Sequence, residues 1–165
     1  MTKRLLILLI LVCLLPVGVA YGEDGITTRL KDFVSEVYHD YAAESFAEVY
    51  GVMYPTIRDV VTEEDYVSFQ EGHFTKLRLQ LTDIEVGDVR ETPRLPRTLR
   101  PFVQDQGNVQ TYGVEISYNA QFVRAGRHRQ SISKTVYVAL LDSGTAEELY
   151  LLWDPNSMQE EETGT

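Results

Sequence analysis

The residues with the clearest capacity for chemistry are arginines. The stretch "RETPRLPRTLRP" at 90–101 holds Arg90, Arg94, Arg97 and Arg100, the last three spaced three apart. Arg124, Arg127 and Arg129 follow around "RAGRHR". Every basic residue between 90 and 129 is Arg, not Lys. A planar guanidinium fork matches carboxylate and phosphate bidentately, which an ammonium does not. The chemistry this points to is recognition of an anion. Pro93, Pro96 and Pro101 oppose regular helix or sheet and favour extended, three-per-turn geometry. Arg94, Arg97 and Arg100 would then project from one edge, with Leu95 and Leu99 resting on the body. Three readings compete for them: pairing with the chain's own carboxylates, binding an anionic ligand or partner protein, or a passive linker.

Acid–base chemistry would need a carboxylate or histidine close to a polar partner in a dry pocket. The candidates are Tyr50, Tyr54, Tyr112, Tyr118 and Glu115, with Trp153 as a further wall residue. Strand parity opposes that set, because Tyr112 and Tyr118 share one face while Glu115 points to the other. His39, His73 and His128 fall on separate elements without metal-ligand spacing. No nucleophile elbow, phosphate loop or zinc-protease helix occurs. No catalytic residue, metal or cofactor is expected, and a non-enzymatic role is the preferred reading.

The elements that must position these side chains change period halfway along the chain. Between Ile26 and Ala43 the apolar residues Leu30, Phe33, Val34, Val37, Tyr38 and Tyr41 form a helical stripe. Asp32, Glu36 and Asp40 line another edge, either as a solvated face or as a rail for arginines. "SFAE" at 45–48 reads as a capping box, with Ser45 capping and Glu48 reaching back. Pro55 starts a further turn, and "TEED" at 62–65 opens a helix carrying Tyr66, Phe69 and Phe74. From Leu77 onward the period becomes two. Leu77, Leu79 and Leu81 alternate, then Ile84 and Val86 continue in the opposite phase, which marks a β-bulge near Thr82–Asp83. Tyr112 to Phe122 alternate without a break, and Ile132, Val136, Val138 and Leu140 define the next strand. "RAGR" and "DSGT" supply Gly-containing hairpin turns. Helices first and long hairpins afterwards predict an α+β domain. Tyr137, Ala139 and Leu141, apolar on the outward face, would suit a homodimer.

Composition narrows the functional class. The chain opens on Lys3–Arg4, an apolar run from Leu5 to Leu15, Pro16 and small residues up to "VGVAYG". That is the pattern of a secretory signal peptide over 1–22, cleaved before Tyr21 or Glu23. The run from Leu5 to Ala20 falls short of the roughly 20 residues a retained membrane anchor needs. A secreted or extracytoplasmic chain follows. Its only cysteine, Cys13, would leave with the leader, and disulfides and thiol chemistry with it. Without Lys3 and Arg4, 13 basic residues face 25 acidic ones, a net charge of −12. General nucleic-acid binding is disfavoured, since phosphate backbones are held by Lys and Arg. Residues 90–129 nevertheless carry a local +4 on a body of −16. The acidic end, 159–165, reads as a disordered tail, leaving one domain over 23–158.

The order of these elements resembles the nuclear transport factor two-like superfamily, a cone-shaped α+β roll. "SFAEVYGVMYPTIRDVVTEEDYVSF" is similar to the second and third helices of its secreted members. "VEISYNAQFVRAGRHRQSISKTVYVALL" and "LYLLWDPNSM" look like the closing strands of one subgroup. That subgroup is the membrane-proximal domain of methicillin-resistance-type penicillin-binding proteins, with Trp153, Asp154 and Pro155 matching its terminal motif and Met158 its apolar step. The Arg/Pro segment has no counterpart in that pattern. The resemblance implies helices packed in the concave face of a strongly curved antiparallel sheet, around a conical pocket. It implies no activity, because one fold hosts many functions. The function expected is an exported binding or accessory module of a bacterial cell envelope, holding an envelope protein or anionic component through Arg94, Arg97, Arg100 and the 124–129 turn. The alternative is a small-molecule enzyme or carrier, isomerase- or dehydratase-like, working inside the cone.

Overall fold

The apolar stripe of the first helix decides where the core forms. The computed structural model describes residues 23–91, 93–104, 107–123 and 127–160. The expected leader, Arg124 and residues 161–165 lie outside them. α1 (Glu23–Ala42) buries Leu30, Val34, Val37 and Tyr38 and leaves Asp32 and Glu36 exposed. Its buried face packs against β1 and β2, described below. Among the described residues no helix is long and apolar enough to cross a membrane.

A left-handed Glu44 (φ 60°) reverses the chain into α2 (Phe46–Gly51). The capping box expected at Ser45 does not form. Ser45 sits at ψ 58°, away from the extended backbone that aims a capping hydroxyl, and its side chain makes no cap bond. Its carbonyl instead accepts from Glu48 N (3.1 Å) and Val49 N (3.3 Å). α3 (Pro55–Arg58) starts on its proline, as expected. α4 (Glu63–Leu77) has the foreseen cap: Thr62 Oγ1 accepts from Asp65 N at 3.1 Å. Three carboxylates in its first turn suit the positive end of the helix dipole. Edge-to-face contacts of 5.0–5.5 Å among Tyr41, Phe46 and Phe74 bind α1, α2 and α4 together.

The sheet has four strands in the order β1 (Gln80–Glu91), β2 (Val109–Val123), β3 (Arg127–Asp142) and β4 (Glu147–Leu152), all antiparallel and not closed. The α+β class therefore holds. The register of β1 on β2 slips between Thr82 and Glu85, where the phase change placed a bulge, and Asp83 takes φ 53° there. A second slip, between Val86 and Val89, was not visible in the side-chain alternation. "DSGT" turns with Gly144 at φ 77°. β4 pairs with β3 only from Tyr137 onward. Its other edge is covered by the chain entering α3: Leu151 N donates to Val52 O (2.8 Å) and Tyr54 N to Leu151 O (3.0 Å). A covered edge is not a template for another chain. α6 (Ser157–Glu160) carries regular structure two residues into the tail that was expected to begin at 159.

Ala139 is fully buried, and Tyr137 and Leu141 are half-buried within the single chain. They do not form the exposed dimer face that alternation suggested. Intrachain packing already covers that patch.

Candidate functional site

β3 runs on past the end of β4, and that mismatch opens a cavity. From Val136 back towards Arg127, β3 has no strand on its outer edge among the described residues. A cavity of about 320 Å³ occupies the place a longer β4 would fill. Its walls are Tyr38 and Tyr41 of α1, Tyr66 of α4, the Lys134–Tyr137 edge of β3, and Trp153 just past β4. Pro96 and Leu99 of the Arg/Pro segment form a further part of its wall. Tyr66 and Trp153 meet edge to face at 5.1 Å. Tyr41 Oη donates to Oε1 of the buried Gln70 at 2.6 Å.

The ionisable groups around this cavity are few. Burial pushes the Tyr38 and Tyr66 phenols far above their ordinary range, and the neighbouring phenols add to the effect on Tyr66 while its bond to Gln70 opposes it. Burial raises Tyr118 as well, with Lys134 opposing. These phenols are donors, not bases. The Lys134 ammonium stands over the rings of Tyr38 and Tyr118, 5.4 and 5.8 Å from their centroids, a cation–π arrangement. Asp154 is the other charged group, and both its oxygens are engaged. Oδ2 accepts from Thr98 Oγ1 (2.6 Å), and Oδ1 from Asn156 N (3.0 Å) and Nδ2 (3.1 Å).

The Arg/Pro segment is thus a wall as well as a bearer of charge. Leu99 is 2 % exposed, and Thr98 is tied to Asp154. Thr56 Oγ1 donates to Phe102 O at 2.9 Å. Pro93 lies against Gly113 of β2, where an added Cβ would stand 3.3 Å from Pro93 Cβ and 3.0 Å from Thr135 Cγ2. A strand glycine with backbone or ring this close marks a docking point. The expectation of extended geometry throughout needs correction. Residues 93–96 have no regular structure. From Pro96 the chain coils, with Leu99 N and Arg100 N both donating to Pro96 O, and α5 (Arg100–Val103) follows. A proline in the first turn of a helix gives up only an amide that has no partner there, so Pro101 does not prevent this turn.

Arg94, Arg97 and Arg100 are all exposed, and none forms an ion pair among the described residues. Pairing with Asp32, Glu36 or Asp40 does not occur. Arg100 Nε donates to Leu95 O at 3.0 Å, which fixes the direction of that side chain. The second arginine group is elsewhere. Antiparallel pairing puts the β1–β2 connection at the start of β2 and the β2–β3 turn at its end. Tyr112 and Val123 bracket eleven residue steps, so these ends of β2 stand roughly 35 Å apart along the strand at ordinary rise. The two arginine groups lie towards opposite ends of it. Arg127 is exposed, and Arg129 is paired with Asp83 at 2.7 Å.

Of the residues expected at a pocket, Trp153 lines this cavity, while Tyr50, Tyr54, Tyr112 and Tyr118 do not. Tyr50 donates to Val61 O (2.9 Å), and Tyr54 packs edge to face on Tyr150 at 5.8 Å. Tyr112 donates to Gln110 Oε1 (2.8 Å), while Tyr118 lies behind Lys134. Glu115 points away, as parity required, to Arg90 at 2.5 Å. Tyr38, Tyr41, Tyr66 and Lys134 are the residues sequence reasoning missed. The available signal was three tyrosines on the buried stripes of two helices, more hydroxyls than a dry core needs. None of the three histidines reaches the cavity, and no metal-holding cluster exists among the described residues. No protein-family model matches this chain, and no curated protein matches it.

Proposed function

We propose that this chain is an exported, non-enzymatic binding or accessory module of a bacterial cell envelope, and that Arg94, Arg97 and Arg100 hold its anionic partner. One observation carries the reading: three exposed guanidiniums, without carboxylate partners among the described residues, stand on a segment anchored by Leu99, Thr98 and Pro93. A segment already ordered loses little entropy on binding, which is where preorganised sites gain affinity. Arg127 and Arg129 take no part, being at the far end of β2. Export rests on the basic, apolar opening of the sequence. The nuclear transport factor two-like roll belongs to the same proposal. Helices preceding an open antiparallel sheet, with two register slips in β1 of the kind that bend a strand, support it.

The test is co-purification from the native envelope, followed by titration of the recovered partner across salt concentrations. Replacing Arg94, Arg97 and Arg100 with Gln weakens binding about tenfold or more, at the few tenths to 1 kcal/mol that exposed ion pairs contribute each. The salt dependence flattens with it. Unchanged affinity in the triple variant removes the segment from the site.

The cavity supports a second reading, a small-molecule carrier. Its walls offer protonated phenols, a lysine and an engaged aspartate, so the isomerase- or dehydratase-like version has no free base to begin proton abstraction.

A further inference from the structure

We infer that the cavity at the end of β4 binds a small ring-bearing anion, its rings between Tyr38, Tyr66 and Trp153 and its acid group at Lys134. The inference rests on the carrier reading of the cavity and not on the arginine segment. Size comes first. About 320 Å³ equals the liquid volume of roughly ten waters, room for one or two rings with a short substituent. It lies at the small end of ordinary ligand sites, which are mostly apolar with a few placed polar groups. Shape and chemistry follow. Aromatic side chains from three separate elements converge with Leu99 in the wall, so a flat apolar body fits better than a flexible polar chain.

Charge sets the sign. Lys134 is exposed at the rim, forms no ion pair among the described residues, and is steered over the cavity's edge by the rings of Tyr38 and Tyr118. Asp154 already accepts three hydrogen bonds, from Thr98 and Asn156. Lys134 has no counter-charge among the described residues and is the group at the rim that favours an anion. The adjoining edge of β3, unpaired by any strand among the described residues at Lys134–Val136, adds backbone groups to which an acid oxygen can bond.

Trp153 is the only tryptophan in the chain and lines the cavity, so it reports occupancy directly. The test uses two dyes that share their two rings: 5-aminonaphthalene-1-sulfonate, an anion, and 1-naphthylamine, its neutral counterpart. The full chain gives saturable 1:1 energy transfer from Trp153 to the sulfonate. Lys134→Gln, a surface change that keeps the fold, weakens the sulfonate about tenfold and moves the neutral dye less than twofold. Val136→Phe, which fills the cavity, removes transfer to both, with circular dichroism checking that it folds. The triple Arg→Gln variant binds the sulfonate like the unaltered chain. Equal affinity of Lys134→Gln for the sulfonate overturns the anion assignment, as does loss in the triple arginine variant. Binding of the neutral dye alone overturns it too, while leaving the carrier reading standing. Absence of transfer to either dye overturns both.

Discussion

Arg97, in the β1–β2 connection, and Arg129, on β3, are the same residue type placed towards opposite ends of β2, and they serve opposite ends. Arg129 is spent within the molecule. It closes on Asp83 across the first bulge of β1, where Thr82 and Asn119 donate to the same carboxylate. Arg97 is held up by its neighbours and has no carboxylate partner among the described residues. Pro96 and Leu99 on either side of it line the cavity, and Thr98 binds Asp154. The difference shows that a local excess of arginine says little until its acidic surroundings are known. Among the described residues the acidic body pairs with Arg129 of one group and with none of Arg94, Arg97 and Arg100.

The largest break in that comparison comes from removing the anchor. Leu99→Ala deletes a fully buried side chain at a cavity wall and costs about 2–4 kcal/mol in a denaturant melt. It also frees the segment, so trypsin cuts after Arg94 and Arg97 much faster than in the unaltered chain. Ile132→Ala, at the half-buried hairpin end, costs less, about 1–2 kcal/mol, and leaves those cleavage rates alone. Equal cleavage in both variants means the segment is not anchored through Leu99.

A smaller effect isolates the tie to the strand end. Thr98→Val keeps the shape and removes the donor to Asp154. The net loss is about 1 kcal/mol, the usual worth of one such bond, and a few degrees in Tm. The expected signature is coupling: in Leu99→Ala, Thr98→Val costs almost nothing more, because the segment has already left. Strict additivity in that double-mutant cycle would mean the two contacts hold independently.

Much of this arrangement was legible in the residues themselves. The stripe of α1, the Thr62 cap, the bulge at Thr82–Asp83 and the alternation of β2 follow from periodicities that the backbone imposes locally. The distance between the arginine groups was equally implicit, because consecutive antiparallel strands put successive turns at opposite ends. What stayed hidden depends on lengths and on contacts distant in sequence. The cavity exists because β4 stops at Leu152 while β3 runs ten residues beyond its pairing, and no local pattern fixes where a partner strand ends. Tyr38, Tyr41 and Tyr66 read as ordinary core, since the space beside them is made by Pro96, Leu99 and Trp153 arriving from elsewhere. Ser45 matched a capping pattern whose geometry the preceding left-handed Glu44 does not deliver.

The smallest effect belongs to the spent arginine, and it has a pH signature. Bonds from Asn119 (2.8 Å) and Thr82 (3.0 Å) are the largest single causes holding the Asp83 carboxyl below its usual range, and Arg129 adds its charge and a bond of its own. A carboxylate bound more tightly in the folded chain than in the unfolded one stabilises fully above its ordinary value. That contribution fades as acid protonates the folded form, so the hairpin end loosens at low pH and is indifferent to change between neutral and alkaline pH. Because Asp83 is exposed, solvent screens the effect and the whole-molecule melt barely moves. The measurement is therefore site-resolved: carboxyl titration by NMR places Asp83 below an ordinary aspartate. Asn119→Ala raises it most and Arg129→Gln less, following the order of the bonds. A larger upward move in Arg129→Gln would make Coulomb attraction the main term. The two arginine groups would then differ in the charge nearby and not in the hydrogen-bonded frame that receives it.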